Sequence, residues 1–148
     1  MLLAFLLQVA PAQPPQPPAT MVVEPVAMAI AAWDTDGDGR TSRGELTAGV
    51  ARSFAAVGGT DAKPLGYIAF ADWAERWLGD RNALPSPFEV DADGDNKVSL
   101  PELQAALARI FARLDKNGDG FVTRAEALTI RASNGERGPG RRGGKPGR

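Results

Sequence analysis

DKNGDGFVTRAE, residues 115–126, places three carboxylates, one carboxamide and two glycines in twelve positions. Like charges held within a few Å of one another destabilise a compact state, so Asp115, Asp119 and Glu126 together call for a compensating positive charge. A bound cation supplies it most simply. Ligands that offer only oxygen, with no sulfur or imidazole, select a hard ion such as calcium or magnesium over zinc or copper. The chain as a whole agrees, since it contains neither cysteine nor histidine.

The spacing is more specific than the charge. A loop that wraps one calcium ion takes ligands from positions 1, 3 and 5, a tight turn at 6, a backbone carbonyl at 7, a further oxygen at 9 and a Glu at 12. Asp115, Asn117, Asp119, Gly120, Phe121, Thr123 and Glu126 fill that frame in order. Gly120, lacking a Cβ, can take the positive φ of the turn. Val122 at position 8 is apolar and would face a core. The stretch resembles the calcium loop of the EF-hand family at every ligand position.

The pattern recurs. DTDGDGRTSRGE, residues 34–45, offers Asp34, Asp36, Asp38, the Arg40 carbonyl and Glu45, with Ser42 at position 9. DADGDNKVSLPE, residues 91–102, offers Asp91, Asp93, Asp95, the Lys97 carbonyl and Glu102, with Ser99 at position 9. These three loops take eleven of the eighteen acidic residues, so cation binding accounts for most of the negative charge. Two positions depart from the pattern. Asn96 stands where the turn wants glycine, a penalty of about 1 kcal/mol. Thr41 replaces the aliphatic residue at position 8 of the first loop, which should weaken its contact with a partner loop.

EF-hand loops usually pair, which implies a fourth. DAKPLGYIAFAD, residues 61–72, fits the frame with Asp61 at position 1, Gly66 at 6, Ile68 at 8 and Asp72 at 12. Lys63 and Leu65 occupy positions 3 and 5, and Pro64 fixes φ within the loop, so the expectation is a degenerate hand without metal. The alternative is an ordinary linker that contains a glycine.

Helical periodicity surrounds the loops. Residues 24–33 open with Pro25 and carry Ile30 and Trp33 on one face. Leu46, Val50, Phe54 and Val57 follow the first loop at helical spacing, ending at Gly58 and Gly59. Phe70, Trp73 and Trp77 form a stripe over 70–78 that reads as core. Ser86 and Pro87 look like the cap and first residue of a short helix. Leu103, Leu107, Ile110 and Leu114 line one face of 100–115.

Too few residues separate Glu102 from Asp115 for one helix to leave and another to return, so a single helix must serve both loops and hold them about 20 Å apart. The loops at 34 and 61 look joined in the same way. If the two shared helices pack antiparallel, the loop at 61 lies beside that at 91, with Ile68 against Val98. The loop at 34 then lies beside that at 115, with Thr41 against Val122. The fold expected is all-α: EF-hand helix–loop–helix repeats with shared helices and short β pairing between loops.

MLLAFLLQVAPA, residues 1–12, has an apolar run and an A-x-A pattern at Ala10–Ala12, as in a cleaved secretory signal, and is too short to span a bilayer. An uncleaved apolar arm is the alternative. Residues 13–23 read as a proline-rich disordered spacer and 24–132 as the EF-hand domain, with loops at 34–45, 61–72, 91–102 and 115–126. Residues 133–148 form a glycine-rich tail with five basic residues against Glu136, after a body that carries seventeen acidic and twelve basic groups between 13 and 132. Such a tail could touch nucleic acid, anionic lipid or an acidic polymer, but a solvated end is the reading preferred, because no aromatic residue is interleaved for base stacking. Nucleic acid is not expected as a partner.

These features imply an exported protein, periplasmic or extracellular, of bacterial type in its Ala, Arg and Pro usage, acting as a monomer. No enzyme is expected: the carboxylate pairs belong to the loops, and histidine for proton transfer is absent. The resemblance implies Ca2+ as the ligand and a calcium buffer or calcium-stabilised module as the role. The alternative is a sensor that exposes an apolar groove to a protein partner on binding calcium. Methionine-rich grooves suit such sensors, and only Met28 lies within the expected helices.

Overall fold

Three of the helices begin at the same device. Ser42, Ser99 and Thr123 each accept the amide of a Glu three residues on through their hydroxyl, and that Glu (Glu45, Glu102 or Glu126) reaches back to the cap's own amide. In the computed structural model, which describes residues 20–61 and 63–131, these boxes open α2 (Arg43–Ala55), α5 (Leu100–Leu114) and α6 (Arg124–Ala127). A fourth capping box, Ser86 with Glu89, opens α4 (Pro87–Val90). Helix α1 (Pro25–Ala32) starts at its proline, and α3 (Tyr67–Leu78) follows Gly66 and ends at Gly79, which adopts a positive φ of 81°.

Short strands immediately precede the caps. β2 (Arg40–Ser42) pairs antiparallel with β5 (Phe121–Thr123), setting Thr41 opposite Val122. β3 (Leu65–Gly66) pairs antiparallel with β4 (Lys97–Val98), setting Leu65 opposite Val98. The loop at 34 therefore lies beside that at 115, and the segment before α3 lies beside the loop at 91. Helices α2 and α5 bridge the two strand pairs in opposite directions and pack against each other. The helical description is thus completed by small sheets, three among the described residues.

The third sheet was not anticipated. Thr20–Val22, at the end of the stretch expected to be spacer, forms β1 and pairs antiparallel with β6 (Thr129–Arg131). Both strands are rich in β-branched residues, which favour the extended backbone. The signal sequence and the basic tail proposed above lie outside the described residues, as does most of the spacer.

One core joins all the loops. Ile30, Val50, Phe54, Phe70, Trp73, Leu103, Leu107, Phe111 and Val122 are buried, and Trp73 donates its indole N–H to Ser53 Oγ at 3.0 Å, so neither polar atom is stranded. On α5 the core face includes Phe111, while Ile110, expected there, is only partly buried. Thr41 pairs as expected, and its substitution does not cost the contact. The side chain is fully buried and its hydroxyl donates to the Ile30 carbonyl at 2.9 Å, which ties β2 to the last turn of α1.

The frame assigned to residues 61–72 needs correction. Ile68 is 80% exposed on α3, whereas Leu65 is 3% exposed and takes the place opposite Val98. Leu65 corresponds to Thr41, Val98 and Val122, and Gly66 to the caps Ser42, Ser99 and Thr123, which moves the twelve-residue frame to 58–69. Asp61 is then no first ligand, and Asp72 is no twelfth. Asp72 sits on α3 and pairs with Arg81 at 2.6 Å. The physical reason is that burial of an apolar side chain at the strand, rather than spacing from an aspartate, sets the register.

Candidate metal centre

Each acidic loop is wound about its first aspartate. Asp34 accepts the amides of Gly37 (2.7 Å, Oδ1) and Gly39 (3.0 Å, Oδ2). Asp91 accepts those of Gly94 (2.7 Å, Oδ1) and Asn96 (2.9 Å, Oδ2), and Asp115 those of Gly118 (2.8 Å, Oδ1) and Gly120 (3.0 Å, Oδ2). The third residue accepts from the fifth and the fifth from the seventh in the same way: Asp36 from Asp38 and Asp38 from Arg40, Asp93 from Asp95 and Asp95 from Lys97, Asn117 from Asp119 and Asp119 from Phe121. These short-range side chain to backbone bonds curl the chain so that alternate side chains converge.

They converge closely enough to share an ion. One carboxylate oxygen from each of Asp34, Asp36 and Asp38 lies within 4.8 Å of the others, and the same holds for Asp91, Asp93 and Asp95. In the loop at 115, Asn117 stands in the middle place and donates Nδ2 to Asp119 Oδ2 at 3.1 Å, so this loop carries one charge fewer. The turn at position 6 requires a positive φ, 85° at Gly120 and 62° at Asn96; Asn96 is the sole non-glycine residue with positive φ among those described.

The twelfth residue closes each loop. Glu45 Oε1 accepts the Thr35 amide at 2.7 Å, Glu102 Oε1 the Ala92 amide at 2.9 Å, and Glu126 Oε1 the Lys116 amide at 3.1 Å, while Oε2 stays on the cap. These donors hold the charged form. The amides of Ser42 and Thr35 bring the Glu45 carboxyl down to about 2. The Ser99 hydroxyl and amide lower Glu102, and the Thr123 amide and hydroxyl lower Glu126.

Arg40, Lys97 and Phe121 were assigned through their carbonyls, and each begins a paired strand at the seventh place. The side chain of Arg40 has a separate job: its guanidinium pairs with Asp38 at 2.8 Å, lowering that carboxyl, and lies 4.3 Å over the Phe121 ring. Two contacts between loops had no signal in the sequence. The Tyr67 hydroxyl donates to Asp91 Oδ2 at 2.7 Å, which lowers Asp91 and pushes the phenol up to about 12. Arg124 Nη2 approaches Asp34 Oδ2 at 3.7 Å.

An all-oxygen donor set, gathered by amides and closed by a capping Glu, fits a hard divalent cation. Asp34, Asp36, Asp38 and Glu45 would hold it in one loop, and Asp91, Asp93, Asp95 and Glu102 in another. Asp115, Asn117, Asp119 and Glu126 provide the third set.

Paired helix–loop–helix units with acidic twelve-residue loops define the class of protein. A family model described as EF hand matches residues 89–108 and again 107–126, spans that contain the loops at 91 and 115 and meet within α5. No curated protein matches the chain. The matched segments and the two aspartate groups support binding of a divalent cation, and the EF-hand match favours calcium among the hard ions that oxygen ligands take. No helix among the described residues is long and apolar enough to cross a membrane.

Proposed function

We propose that the protein is an exported calcium-binding module that carries three working loops and one metal-less hand at 58–69, and that buffers the ion or is stabilised by it. The observation that carries this reading is the threefold repetition of one hydrogen-bonded loop, each copy rooted in the same core. Because the carboxylates repel without a cation, occupancy and folding are coupled. Export rests on the apolar residues 1–12 and their A-x-A pattern, and outside the cytosol affinities of order 10⁻⁴–10⁻³ M suffice. The reading involves no catalysis and a monomeric chain.

A sensor is the second reading, and a cavity favours it. A space of about 660 Å³ is lined by Val26, Leu84, Pro85, Ala106 and Ile110 together with Glu24, Glu89, Arg109 and Arg113, an apolar floor with charged groups beside it that suits an amphipathic segment of a partner. Against it, Met28 is 62% exposed and is not among the residues lining that cavity.

Thermal melts in chelator, calcium and magnesium, each with a dye that binds apolar surface, test the proposal. Calcium is expected to raise the melting temperature well beyond magnesium without increasing dye binding. A calcium-dependent rise in dye binding would replace the buffer with the sensor, and no calcium-specific shift would remove both.

A further inference from the structure

Tyr67 belongs to the segment that offers no ligand of its own, yet it touches the first carboxylate of the neighbouring loop. Its hydroxyl donates to Asp91 Oδ2 at 2.7 Å, and that oxygen also accepts the Asn96 amide while Oδ1 accepts the Gly94 amide. Asp91 is thus held by two donors from its own loop and by one from the partner segment. The phenol ring is steadied edge-on by Phe88 of α4, with centroids 4.9 Å apart and planes at 74°. Its place follows from the β3–β4 register, because Tyr67 directly succeeds Gly66, which pairs with Lys97.

The other pair contains the same arrangement with different chemistry. Arg124 directly succeeds the cap Thr123 and reaches Asp34 Oδ2 at 3.7 Å. In both pairs, then, the first helical residue of one hand reaches across to the first carboxylate of its partner. A guanidinium brings a charge that opposes a cation. A phenol is neutral at ordinary pH, so it fixes the direction of the carboxylate while leaving the negative charge of the loop in place.

We propose that Tyr67 is a positioning residue for calcium binding at residues 91–102, through which the metal-less hand at 58–69 raises the affinity of its partner loop. This inference rests on the calcium-binding reading above. Orienting a ligand before the ion arrives removes part of the ordering cost of binding, and the gain expected from one charge-assisted hydrogen bond is about three- to tenfold in affinity.

The test is calorimetric calcium titration of the full chain carrying Glu45→Gln and Glu126→Gln, which leaves the loop at 91 to be read alone. Gln preserves the capping box, and a melt in chelator checks that these chains fold. Adding Tyr67→Phe keeps the ring against Phe88 and removes only the hydroxyl; the dissociation constant is expected to rise three- to tenfold. In a Glu102→Gln chain, where the loops at 34 and 115 are read instead, Tyr67→Phe is expected to change nothing. An unchanged dissociation constant in the first chain, or an equal loss in the second, would overturn the proposal. Absence of calcium binding by the first chain with Tyr67 intact would overturn the metal reading of this loop, and the role of Tyr67 with it.

Discussion

The two loop pairs are built alike where they pack and differently where they would bind. In the pair at 34 and 115, both members carry alternating oxygen ligands and a closing Glu, and Thr41 faces Val122. In the pair at 58 and 91, only the second member does, yet Leu65 faces Val98 and both are buried as deeply. In both pairs the buried strand residue and the residue at the start of the following helix occupy equivalent places. The alternating oxygen side chains are a separate layer, carried by residues 91–102 and not by 58–69.

If packing and binding are separable, substitutions at Leu65 and at the nearby aspartates should behave in opposite ways. The largest effect is expected from Leu65→Ala, which empties a buried site and should cost about 2–4 kcal/mol in urea unfolding, although residues 58–69 carry no alternating acidic side chains. A cost under about 1 kcal/mol would mean that the pairing contributes little. Next, Thr41→Val should cost about 1 kcal/mol, because the Ile30 carbonyl loses one of its two donors, keeping the Trp33 amide, while the apolar packing against Val122 persists. A stabilised Thr41→Val chain would show that the hydroxyl is no more than a tolerated replacement for an aliphatic side chain.

Acid should act on the ligand-bearing loops selectively. The Glu45 carboxyl, ordinarily near 4.5, is held at about 2 in the folded chain, so its stabilising effect is complete above the ordinary value and is lost as pH falls toward about 2. Glu102 and Glu126 are lowered in the same sense. Metal-free protein should therefore melt at lower temperature as pH drops below about 4.5. In a Glu45→Gln chain that slope should be shallower, and an identical slope would place the acid sensitivity elsewhere. The smallest effect belongs to Asp61→Asn with Asp72→Asn, which should leave calcium stoichiometry unchanged, since neither residue stands at a ligand position in the observed register. Loss of a site would mean that these two carboxylates hold an ion, contrary to both the 61–72 and the 58–69 frames.

The acidic loops were the easier to read, because their signal is local. Carboxylates at alternate positions followed by a turn and a Glu are written within twelve residues, and the loops at 34, 91 and 115 adopt the same hydrogen-bonded curl. The pairing of loops was also legible, from the length of the helix between Glu102 and Asp115 and the distance it must span. The register at 58–69 was not, for with no ligands present Asp61 offered a false anchor and Leu65 looked like an unfavourable fifth position. Contacts distant in sequence left no trace at all. Tyr67 meets Asp91 and Arg124 meets Asp34 only because the strands bring them together, and the β1–β6 sheet depends on residues more than a hundred positions apart. On α5, helical periodicity alone could not rank Phe111 above Ile110, since the two flank the Leu103, Leu107 and Leu114 stripe on opposite sides.

The most direct test of the central claim is calorimetric titration of the full chain with calcium in the presence of excess magnesium, at two temperatures. The account predicts about three calcium sites that survive magnesium, one for each loop whose amides wrap a leading aspartate. Absence of calcium-specific heat at both temperatures would contradict it.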